Sequence, residues 1–154
     1  TKDALKNLKK IIKSKYFRFL KGIVFGRSDI AGSFNLMKKD VDSKKIFSRV
    51  HKALIFLKNK KKIIKLGGSI TPASINFIEK VYKKKLLKSI ETRNIEIELN
   101  KKNLENLNQS INKIFAFEMD WLKYKSKIKS NTKSLVRLKD YKSRINEINN
   151  RLKK

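Results

Sequence analysis

The residues with most chemistry to offer in this chain are its lysines. Five of the eight residues from Lys58 to Lys65 are lysine (Lys58, Lys60, Lys61, Lys62 and Lys65), and Lys83, Lys84 and Lys85 follow one another directly. Lys9, Lys10 and Lys13 border an apolar stripe near the start, and Arg27 stands among glycines and phenylalanines in GIVFGRSDIAGSFN. Ammonium groups at this density attach to phosphates as point charges, without reading bases. Arg27, flanked by Gly26 and Phe25, suits stacking and close backbone approach at an RNA surface. These twelve residues are the candidate RNA contacts.

The chemistry of catalysis has no comparable support. There is no Cys, and His51 is the one histidine. It lies four residues after Phe47 beside an apolar stripe, the usual place of a boundary residue, with no second His or carboxylate set to make a metal or base site. No phosphate loop and no dinucleotide fingerprint occurs among the glycines. The sequence therefore predicts a binding protein that is not an enzyme and needs no cofactor or metal.

The charge balance points the same way. The 154 residues hold 41 Lys and Arg against 13 Asp and Glu, a formal charge of +28. A small domain needs a magnitude of only roughly 2–8 for solubility, and a larger field opposes the compact state unless a polyanion neutralises it. Nucleic acid is the first candidate and an anionic membrane surface the second. Residues 1–70 carry a net +16, residues 71–117 +4 and residues 118–154 +8. Only seven of the 41 basic residues are Arg, which favours phosphate attachment over base readout. An AT-rich genome would also enrich Lys over Arg, but it would not remove acids. The apolar runs are too short to span a membrane. The chain begins at Thr1 rather than Met, as a processed chain or a fragment would.

The elements that must position these lysines read as all-α. A basic amphipathic helix is predicted over residues 2–20, a glycine-containing loop over 22–35, and a short helix over 42–58 with the stripe Ile46, Phe47, Val50, Leu54 and Leu57. Gly67 and Gly68 are read as the stop after the lysine-rich helix end. Beyond Pro72 there is no Gly or Pro. Ile90, Ile97, Leu104 and Ile111 keep a seven-residue step, so one helix from Pro72 to Leu122, about 75 Å long, is predicted. The alternation of Ile95, Ile97 and Leu99 with Glu96 and Glu98 is the strand pattern that competes with it. Phe115, Phe117, Met119, Trp121 and Leu122 form the densest apolar patch. A polar turn at Lys129–Ser134 then leads to a helix bearing Leu135, Leu138, Tyr141, Ile145, Ile148 and Leu152, which makes an antiparallel hairpin. Two parts result: a basic RNA-contacting part, 1–70, and a helical part, 71–154. Leu104, Ile111, Phe115, Trp121, Leu138 and Ile145 are the candidate protein contacts.

No family motif lies residue by residue on the chain. Pro72, Phe77 and Trp121 superficially fit a minor-groove HMG box, but the gap from Pro72 to Trp121 is too long. In style alone, a Lys-rich protein of loops and helices is similar to ribosomal proteins, especially lineage-specific ones of an organelle. The functional expectation is a structural ribonucleoprotein component, most plainly a mitochondrial or other organellar ribosomal protein, with a cytosolic ribosome as the alternative address. It would bind rRNA phosphates and neighbouring proteins without forming a homo-oligomer. A nucleoid-type DNA-compacting protein and a basic helical subunit of a membrane-associated complex are the alternatives.

Overall fold

The computed structural model describes residues 1–92, 95–128, 136–140, 142, 143 and 146. It divides into two compact units, residues 1–106 and 107–154.

The first unit is an α/β unit, so the all-α expectation is overturned. It contains α1 (Lys2–Lys6), α2 (Leu8–Lys13), β1 (Gly22–Gly26), α3 (Arg27–Ser33), α4 (Lys44–Leu57), β2 (Ile63–Gly67), α5 (Ile75–Tyr82), β3 (Ser89–Thr92), β4 (Ile95–Glu98) and α6 (Lys101–Glu105). The sheet order is β1-β2-β3-β4. The first three strands are parallel and β4 closes an antiparallel hairpin on β3. Both crossovers step the same way across the sheet, and right-handed connections then put their helices on one face. Phe25, Leu66, Ile90 and Ile97 share one register row of that face. The first three are buried, together with Ile46, Val50, Leu54 and Leu57 of α4 and Phe77, Ile78 and Val81 of α5.

Each departure from the helical reading has a local cause. Ile90 and Ile97 are directly opposite partners of the β3–β4 hairpin. Their seven-residue step, which a heptad would also give, is here met across two strands, where β-branched residues pack well. Gly22–Gly26 is a strand rather than a loop because Ile23, Val24 and Phe25 are an apolar run whose glycines sit at its two ends. A Cβ on Gly22 would come within 2.7 Å of the Ile63 carbonyl oxygen, so close pairing with β2 needs glycine there. Gly67 ends strand β2 rather than a helix. The predicted helix over 2–20 is interrupted at Asn7 and finishes in a 3-10 turn at Phe17–Phe19 that buries Phe17. The helix predicted over 42–58 is α4, capped by Ser43, whose hydroxyl accepts from the Ile46 amide.

The opposite face of the sheet carries Lys65, Ser89 and Glu96 beside the exposed Val24. Lys65 pairs with Glu96 across it, and the Ser89 hydroxyl donates to the same carboxylate. These two hydrogen bonds, with the charge of Lys65, hold the Glu96 carboxyl below its ordinary range.

The second unit is built on α7 (Leu107–Ile128). Ile111, Phe115 and Leu122 are buried on it. Residues 136–140 are helical, Leu138 is buried, and Arg137 reaches Glu118 Oε1 at 3.4 Å. The predicted turn at 129–134 and the seam residues Tyr141, Ile145, Ile148 and Leu152 lie outside the described residues. No described helix is long and apolar enough to cross a membrane.

Candidate nucleic-acid interface

The two lysine clusters, separated by a helix and a strand in the sequence, meet at one edge of the sheet. Residues 58–62 precede β2 and residues 83–88 precede β3, so both lie at the amino ends of parallel neighbours. Between them is a groove of about 440 Å³ with Lys58, Lys62, Lys83, Lys85 and Lys88 around Ile64, Leu86, Leu87 and Leu99. Lys84 joins Lys58, Lys83 and Lys85 on an adjoining concavity of about 420 Å³.

Helix ends explain part of this arrangement. The carboxyl ends of α4 and α5 open at Lys58 and Lys83, and each such end favours a nearby cation by about 0.3–1 kcal/mol. Two ends do not account for six lysines. Lys62 is committed elsewhere, since its ammonium donates to the carbonyls of Arg18 (3.1 Å) and Leu20 (2.7 Å). Lys88 pairs with Glu98, which holds the ammonium above its ordinary range. No described acidic side chain forms an ion pair with Lys58, Lys83, Lys84 or Lys85, although Glu79 and Glu105 line a neighbouring concavity with Lys83.

Lys85 occupies the position where α5 ends in a left-handed residue, with φ 55°. Its amide donates to the Tyr82 carbonyl and the next amide, of Leu86, to that of Val81. This is the double hydrogen bond of a Schellman ending, in which glycine is the usual residue. A lysine there costs about 1–2 kcal/mol of backbone strain and projects a charge onto the rim.

The other candidate contacts separate from this groove. Lys60 and Lys61 are exposed in the turn before β2, while Lys65 is neutralised by Glu96 on the open sheet face. Lys9, Lys10 and Lys13 are exposed on α2, with the Lys9 ammonium 5.9 Å from the Phe56 ring centroid.

Arg27 is corrected outright. It is 0% exposed, and its guanidinium pairs with Asp42 and donates to the carbonyls of Gly67 (3.4 Å) and Gly68 (3.0 Å) and to the Ser74 hydroxyl (3.0 Å). It also lies 5.2 Å from the Phe77 ring centroid. Burial pulls the guanidinium below its ordinary range and Asp42 opposes that pull. A group so enclosed is out of reach of RNA. It ties the loops at the carboxyl ends of β1 and β2 together. There Gly68, at φ 84°, comes so close to the β1–α3 turn that a Cβ would stand 2.5 Å from the Ser28 amide nitrogen.

His51 is half-buried and stacked on Phe47, at 5.3 Å and 11°. Burial, and secondarily the charge of Lys84, lowers its pKa, so the neutral ring prevails near neutral pH.

Of the candidate protein contacts, Ile111, Phe115 and Leu138 are buried within the chain, Leu104 is half-buried, and Trp121 is exposed. Ile145 lies outside the described residues. Sequence reasoning missed Lys88 and the groove's apolar floor. Lys88 follows Lys85 by three residues, a spacing that mattered only once β3 was recognised as a strand. No protein-family model, curated protein or solved structure matches this chain.

Proposed function

We propose that the lysine groove at the amino edge of β2 and β3 holds the phosphates of structured RNA, and that the chain is a structural component of a ribonucleoprotein, most plainly an organellar ribosome. The observation that carries the reading is the convergence of Lys58 with Lys83, Lys84 and Lys85 on one edge, none ion-paired to a described acidic side chain, in a chain of +28. Uncompensated cations repel one another, and a polyanion relieves that repulsion by releasing its counterions. Lysine dominance suits attachment to phosphate oxygens, which fixes position and not sequence. On this reading the protein binds and braces; it does no chemistry.

The test combines cell fractionation with binding. The chain is expected to co-sediment with a ribosomal subunit and to be released by ribonuclease. In vitro, Lys83→Ala with Lys85→Ala lowers the slope of log affinity against log salt for RNA by about 1.4–1.8 in magnitude. An unchanged slope with folding intact overturns the groove. Equal affinity for duplex DNA, with sedimentation on DNA, moves the protein to the nucleoid class.

A further inference from the structure

We propose a second nucleic-acid contact on the other unit, in which Phe117, Trp121 and Tyr124 of α7 stack on the bases of an unpaired RNA segment. The three side chains are 62%, 46% and 57% exposed. Their spacing of four and three residues puts them on one stripe of the helix, apart from the buried stripe of Ile111, Phe115, Glu118 and Leu122. The Trp121 and Tyr124 rings are already nearly coplanar in orientation, 22° apart with centroids 5.9 Å distant. A row of exposed aromatic rings that no described residue buries marks an interaction surface.

Charge decides which partner. Lys123, Lys125 and Lys127 alternate with Tyr124 and follow Trp121, and the Lys125 ammonium lies 5.1 Å from the Trp121 ring centroid. The two acids of α7 are both engaged, Glu118 with Arg137 and Asp120 with Lys123. Protein interfaces enrich aromatics but deplete lysine. Aromatics interleaved with lysines, of which Lys125 and Lys127 have no acidic partner among the described residues, are instead the composition of single-strand binding surfaces, where rings stack on base faces and cations track phosphates. This inference rests on the nucleic-acid reading above, yet uses different residues from the groove.

Trp121 is the single tryptophan of the chain, so its fluorescence reports on the stripe alone. The full chain is titrated with a short oligouridine and, separately, with inorganic polyphosphate of matching charge, which has no bases. Binding of each is followed independently by competition against a labelled RNA. Oligouridine is expected to quench Trp121 at saturation, and polyphosphate, although bound, is not. Trp121→Ala should lower oligouridine affinity about tenfold and leave polyphosphate affinity unchanged; Phe117→Ala, which keeps the reporter, should act in the same direction. Lys83→Ala with Lys85→Ala should weaken both ligands without changing the oligouridine quench at saturation. Oligouridine binding without quenching, equal quenching by both ligands, or a Trp121→Ala variant that binds oligouridine normally overturns the stripe and leaves the groove standing. A chain that self-associates with Trp121 shielded from acrylamide assigns the stripe to a second copy and overturns the proposal too.

Discussion

The two edges of the same sheet use positive charge in opposite ways. At the carboxyl ends of β1 and β2, one arginine is drawn fully inside and meets a carboxylate, two carbonyls and a hydroxyl. At the amino ends of β2 and β3, lysines stand outside around an apolar floor, four of them in no ion pair with a described acidic side chain. The planar guanidinium has several donors in fixed directions and can be satisfied by several acceptors at once, so it can be buried. The ammonium on its long flexible stem holds its charge at the surface. Crevices outside the carboxyl ends of parallel strands are the usual ligand sites of α/β sheets. Here Arg27 ties that edge shut, and the clustered lysines lie at the opposite end.

Removing Asp42 is the strongest way to break the contrast. Asp42→Ala leaves a buried guanidinium without its counter-charge and should cost about 3–5 kcal/mol, read as a lowered denaturant midpoint. A variant within experimental error of the parent would mean that the carbonyls and Ser74 alone satisfy Arg27. At the other edge the sign reverses. Lys85→Gly relieves the left-handed strain and should stabilise the fold by about 1 kcal/mol, while polyanion affinity falls severalfold with the loss of one phosphate contact. Stabilisation without loss of affinity would detach Lys85 from binding.

The smallest effect sharpens the comparison from inside the first unit. The pKa of His51 is lowered from 6.5. Between that lowered value and 6.5 the unfolded chain binds more protons than the folded one, so stability rises with pH through this window and the increment vanishes in His51→Gln. A polyanion in the groove screens Lys84 and should move the His51 titration upward, followed by NMR on the sole imidazole. Burial is the larger cause of the depression, so the recovery is partial. A titration that does not move on saturation would place the anion away from Lys84.

How much was legible differs element by element. The stripe of α4 was readable because apolar residues at i, i+4 and i+8 fall on one face of a helix whatever element covers that face. Strands β3 and β4 were not, because the step from Ile90 to Ile97 satisfies a heptad and a hairpin equally, and only pairing of β3 with β2 selects the second. Arg27 among glycines looked exposed for the same reason. Its partners Asp42, Gly67, Gly68 and Ser74 lie 15 to 47 residues away in the chain.

By itself the sequence determined the excess of positive charge, its lysine character, its grouping into short clusters and the amphipathic face of α4, since composition and near-neighbour periodicity are local properties. The tertiary structure alone decided that two lysine clusters share one groove, that Arg27 is sealed inside, and that Trp121 faces outward. Those outcomes depend on which strands pair and which faces are covered, and pairing is set by contacts between residues far apart in the chain.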